Sequence, residues 1–182
     1  GSGIRKQREP TRILIALPVQ PDLVCHLLHA LKTAFPDGGT KDGLQFAIRP
    51  HPMCPLTAEG LQWPAFVSHG SFEAALESCS VVIYAGGGTG MEAKVLDRRV
   101  IRYRSELLLS ADGSELMAGD TVTDCSDGDF REIVLSVARD EQEESVSQRK
   151  AILERFFPLP NTDAWLEAIS RLCPQASVRQ VP

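Results

Sequence analysis

The stretch VVIYAGGGTGMEAKVL, Val81 to Leu96, decides how the rest of the chain is read. Val81 to Ala85 is a short apolar run of the kind that forms a strand buried on both faces. Gly86, Gly87 and Gly88 follow, then Thr89 and Gly90, then the helix-forming Met91 to Leu96. A strand that passes through bare glycines into a helix is half of a β-α-β unit. Glycines at such a turn let backbone N–H groups approach an anion, and the helix start adds partial positive charge. They also permit a tight turn or close packing of the helix. Three occupants compete for the turn: a dinucleotide, a nucleotide-sugar phosphate, and the neighbouring helix itself.

Working outward, the same alternation recurs. Toward the N-terminus, Arg12 to Val19 reads as a first strand ended by Pro18. Pro21 to Phe35 reads as a helix, with leucines at helical spacing and Asp22 to cap or charge its start. Leu44 to Arg49 is a second strand broken by Pro50 and Pro52, and Ala65 to His69 a short third. Ser71 to Cys79 is a helix with Ser71 as its cap, and Ser80 to Ala85 is the fourth strand. Toward the C-terminus, Gly90 to Asp97 is a helix, Arg99 to Ser105 a fifth strand and Thr121 to Asp124 a short sixth. Residues 106–120 have turn signals at Asp112-Gly113 and no assignment. Helices are expected over 129–140, 145–157 and 161–172. Strands alternating with helices imply right-handed crossovers and a Rossmann-like α/β domain. Its parallel sheet has about six strands, with helices on both faces. Residues 1–3, Gly-Ser-Gly, read as a cloning scar, 4–174 as one domain, and 175–182 as a frayed tail.

Bulk properties bound the function. With 19 Lys and Arg against 24 Asp and Glu, the net charge of −5 argues against broad nucleic-acid binding. No run of about 18 apolar residues suggests a membrane span, and no secretory signal is visible. The five cysteines are widely spaced, without C-x-x-C, as in a reduced cytoplasmic protein lacking a zinc site. His26 and His29 lie three apart on the first helix, but no third metal ligand accompanies them.

Ligands of such sheets bind beyond the carboxyl ends of the strands. Two unusual segments fall there: Arg49-Pro50-His51-Pro52 after the second strand, and Gly86 to Glu92 after the fourth. Paired prolines constrain His51, whose imidazole offers a donor and an acceptor; Arg49 adds a planar cation. Against this stands a turn in which His51 merely caps a loop. Gly87, Gly88, Thr89 and Gly90 are the candidate phosphate cradle. Glu92 could take sugar hydroxyls or simply complement the helix start. His69 and Ser71 could approach a nucleobase, or cap a helix. The dinucleotide fingerprint fails: position 91 is Met, the glycines follow the fourth strand, and Arg102 and Arg104 stand where an acid is needed. A Walker A loop fails for want of Gly-Lys-Ser/Thr.

In this order, His51-Pro52, the Gly/Thr turn with Glu92-Ala93 on the following helix, and the strand in Arg98 to Ser105 resemble the C-terminal half of GT-B glycosyltransferases. The specific likeness is to bacterial surface-carbohydrate enzymes, Kdo transferases and bacterial sialyl- and polysialyltransferases. It runs from about Arg12 to Leu172. The resemblance implies a donor half that binds a nucleotide sugar, CMP-linked, for surface polysaccharide biosynthesis, with no separate cofactor. His51 would stabilise the departing phosphate, and a missing N-terminal half would bring the acceptor and base. It implies a cytoplasmic protein, at the inner membrane face through its parent. The turn is richer in glycine and poorer in hydroxyls than the family pattern. Two other readings stand beside this one: a UDP-sugar epimerase of the same fold, and a non-catalytic domain docking the enzymes of polysaccharide assembly.

Overall fold

A computed structural model describes residues 9–56, 61–68, 70–105 and 122–140. Six strands form one wholly parallel sheet: β1 (Thr11–Ala16), β2 (Leu44–Arg49), β3 (Phe66–Val67), β4 (Val81–Tyr84), β5 (Arg99–Tyr103) and β6 (Thr123–Cys125). Their spatial order is β3-β2-β1-β4-β5-β6. The helices are α1 (Pro21–Ala34), α2 (Phe72–Glu77), α3 (Thr89–Val95) and α4 (Phe130–Arg139), with a 3-10 turn at Thr40–Asp42. The expected α/β class and six-stranded parallel sheet are what the chain adopts.

The alternating faces of the strands build two cores. Ile13, Ile15 and Leu17 of the β1 run join α1 and α4 on one face; Leu14 and Ala16 join Leu76 of α2 and Ala93 of α3 on the other. Register lines up Ile48, Ile15, Ile83 and Ile101 across four strands, all fully buried. Burial on both faces is why these strands read as continuous apolar runs and not as alternating ones. β3 shrinks to two residues because it is an edge strand, with Phe66 exposed. β1 ends at Ala16, yet the Leu17 N–H still donates to the Arg49 carbonyl at 3.0 Å.

Local chemistry sets the ends of the helices. Gln20 occupies the N-cap of α1 without a side-chain bond, and Asp22 lies in its first turn, complementing charge and not capping. The Ser71 hydroxyl does cap α2, accepting from the Ala74 N–H at 3.2 Å. Trp63 donates from Nε1 to the Phe35 carbonyl at 2.7 Å, tying the end of α1 to the approach to β3. The expected helices over 145–157 and 161–172, the segment 106–120, the terminal Gly-Ser-Gly and the tail 175–182 lie outside the described residues. Among the described residues no helix is long and apolar enough to cross a membrane.

Candidate functional site

Chains leave β1 and β4, the two central strands, in opposite directions. β1 leads through α1 to β2 on one side, and β4 leads through α3 to β5 on the other. Diverging loops open a crevice at such a switch point. Here the crevice is a cleft of about 340 Å³, walled on one side by Leu17–Gln20 and on the other by Gly86–Thr89. His51 and Glu92 complete the described lining. The two segments singled out in the sequence therefore meet at one cleft.

His51 arrives there on a tight turn. The Cys54 N–H donates to the His51 carbonyl at 2.9 Å, and the Met53 N–H donates to His51 Nδ1 at 3.2 Å. Accepting at Nδ1 leaves the proton of the neutral ring on Nε2, so the remaining edge of the imidazole is a hydrogen-bond donor. Pro52 lies in the turn, outside the lining of the cleft.

The glycines separate by role. Gly90 is buried, and a Cβ there would stand 2.5 Å from the Tyr84 ring. Its bareness serves the packing of α3 on β4. Gly87 has φ +84°, a left-handed conformation that favours glycine in the turn itself. Gly88 has ordinary dihedrals, φ −83° and ψ −7°. A Cβ on Gly88 would meet only a carboxylate oxygen of Glu92, at 3.8 Å. Nothing within the described fold requires glycine at 88, and its bare face lies on the cleft. Thr89, half-buried, adds a hydroxyl beside it.

Other candidates are placed elsewhere. Arg49 sits with its guanidinium 5.8 Å from the centroid of the Phe72 ring, outside the lining. It also helps hold the Glu73 carboxyl below its ordinary value, behind the effects of that residue's own backbone N–H and of the Ser71 hydroxyl. Ser71 is occupied as the cap of α2, and His69 lies outside the described residues. Arg102 and Arg104 both reach Asp124 on β6, at 2.7 and 3.0 Å. His26 Nδ1 pairs with Ser105 Oγ at 3.1 Å, and His29 is exposed on α1. Among the described residues no three His, Cys, Asp or Glu side chains gather as a metal would require.

The loop Leu17–Gln20 was not singled out as a lining segment in the sequence. The signal was its place directly after a central strand, legible only once β1 and β4 are known to be neighbours. A second hollow, about 550 Å³, lies between α1 and α4 and includes His29, Asp127, Arg131 and Glu132. It too has no sequence signature, being made by the crossing of two helices far apart in the chain.

No family model matches the chain, and no curated protein matches it in sequence. Solved structures do match in fold. The glycosyltransferase SnogD from Streptomyces nogalater superposes with a TM-score of 0.55 at 21% identity, over 89% of this chain and 44% of that one. TarM gives 0.58 at 14%, over 89% and 36%. A putative UDP-N-acetylglucosamine 2-epimerase from Listeria monocytogenes gives 0.54 at 11%, over 96% and 47%. The chain thus spans less than half the length of these structures, and what it shares with them is a Rossmann-like α/β domain of the GT-B type.

Proposed function

We propose that this chain is the donor-binding domain of a glycosyltransferase of bacterial surface polysaccharide synthesis, and that its donor is a CMP-linked sugar. The observation that carries the reading is the single cleft at the switch point, where His51 and the turn Gly86–Thr89 face one space. The Nε2–H of His51, the Thr89 hydroxyl and the first N–H groups of α3 are neutral donors. Placed in advance around a departing phosphate, such donors stabilise the charge that develops as the glycosidic bond breaks. An acceptor hydroxyl needs a base, and a second domain facing this cleft would supply it. Matching structures more than twice the length of this chain support the idea of such a domain. A UDP-sugar epimerase would instead need several carboxylates facing the sugar. Glu92 is the only one among the described lining residues.

Thermal unfolding with added nucleotides tests the reading. CMP is expected to raise the midpoint more than AMP or NAD does. Equal protection by all three, or protection by none, would remove the donor-site assignment. His51→Gln, whose amide can place a donor near the position of Nε2, is expected to retain part of the CMP affinity. His51→Asn, which reproduces only the Nδ1 edge, is expected to lose it. Retention in His51→Asn with loss in His51→Gln would show that the ring's contact with Met53, and not its outward donor, is what matters.

A further inference from the structure

Two bonds of different kinds hold His51. Its carbonyl accepts from the Cys54 N–H at 2.9 Å, which closes the turn. Its ring nitrogen Nδ1 accepts from the Met53 N–H at 3.2 Å, which aims the ring. The sequence builds this arrangement. Pro52 has no N–H, so Met53 brings the first backbone donor after the imidazole. Pro52 also disfavours the helical region for His51. A carbonyl accepts at any pH, but Nδ1 accepts only while it carries no proton. A second proton on the imidazole goes to Nδ1 and faces the Met53 N–H, donor against donor. Two states therefore exclude one another: a neutral ring tethered to Met53, and a charged ring that has let go.

We propose that His51 is a proton-operated pivot at the edge of the cleft. Neutral, the ring holds its Nε2–H in one direction. Charged, it leaves the Met53 N–H, while the turn stays closed through Cys54. The other walls bring one titratable group. Leu17–Gln20 and Gly86–Thr89 carry none, and Glu92, exposed on α3, is the only carboxylate among the described lining residues. Arg49, two residues before His51, keeps its guanidinium against Phe72 and outside the lining. A freed imidazolium thus meets Glu92 across the cleft and no competing cation among the described lining residues. This holds whatever the cleft binds.

Nuclear magnetic resonance of the whole chain tests the pivot. The spectra run from about pH 8 to about pH 5, the range in which imidazoles change charge. At the alkaline end the ring nitrogen without a proton is expected to be Nδ1. On acidification the Met53 amide proton should move upfield as its bond is lost, with the same midpoint as the ring. The Cys54 amide should keep its protection from exchange. His51→Asn supplies an oxygen that can accept from the same Met53 N–H and takes up no proton, so Met53 should cease to respond. In Glu92→Gln the Met53 response should persist, because the ring drives it and not the carboxylate. A ring that titrates while the Met53 amide stays put would overturn the pivot. So would a Met53 response that survives in His51→Asn or vanishes in Glu92→Gln. Loss of protection at Cys54 along with Met53, or a ring that gains no proton above about pH 5, would overturn it as well.

Discussion

Gly88 and Gly90 are two positions apart and answer to different neighbours. Gly90 presses on the Tyr84 ring, so Gly90→Ala must displace a fully buried tyrosine. Overpacking of that kind is expected to cost about 1–3 kcal/mol, read as a lower urea midpoint. Gly88→Ala meets only Glu92 at 3.8 Å and should shift the midpoint by less than about 0.5 kcal/mol. CMP binding should nonetheless fall in Gly88→Ala, since the new methyl group occupies the face toward the cleft. Retained binding with unchanged stability would move the ligand away from this turn. The sequence could not separate these glycines. What distinguishes them is where one tyrosine ring lies, and that depends on the strand-to-helix geometry. His51 was legible because prolines on both sides mark a stiff turn; its tautomer was not, because that depends on the Met53 N–H folding back to Nδ1. Arg49 read as a phosphate ligand from its place at a strand end, but strand parity turns it toward α2 and Phe72, away from the cleft lining.

Elements were legible in proportion to how far local pattern determines them. β2 begins and ends where its apolar run does, at Leu44 and Arg49. The helix expected over 129–140 appears as Phe130–Arg139, with Phe130, Val134 and Ala138 buried at four-residue spacing. β3 and β6 were less legible because edge strands are short and lean on a single neighbour. β6 is held partly by a pair the sequence does not announce. Asp124 takes two bonds from Arg102, at 2.7 and 2.9 Å, and one from Arg104 at 3.0 Å. The side chain of Arg102 is only 10% exposed, so it loses a partner in a poorly hydrated place. Asp124→Ala is expected to cost about 1–3 kcal/mol, tempered by the partial exposure of the aspartate. It should also speed amide exchange in Thr123–Cys125 before the central strands respond. Uniform exchange across the sheet would mean that β6 opens only with the whole fold.

Among the described residues two apolar cores lie on either side of one sheet, and each encloses a buried thiol. Burial pushes Cys79 from the ordinary 9.0 up to about 11, against a lowering influence from Arg98. Cys125 is raised as well, first by burial and then by Asp129, Asp124 and Asp127. The unfolded chain therefore releases these protons at a lower pH than the folded one does. Stability contributed in this way is complete below about pH 9 and falls as pH rises toward 11. Urea midpoints between pH 8 and pH 10.5 should decline, and Cys79→Ala should flatten the decline. A flat wild-type profile would show that the thiols ionise alike in both states. Exposed Cys25 should react with a thiol reagent well before Cys79 or Cys125.

The position of β1 has a consequence for how the chain is assembled. Of the described strands of this sheet it is the first made, and it lies at the centre, with β2 on one flank and β4 on the other. Ile13 can pair with Phe46 early, but must wait for Val81 before its second flank closes. During synthesis that flank is an open row of peptide groups beside an apolar face, the arrangement that recruits stray strands. Nascent chains halted before Val81 should therefore clump or hold a chaperone, and those extended past Tyr84 should let it go.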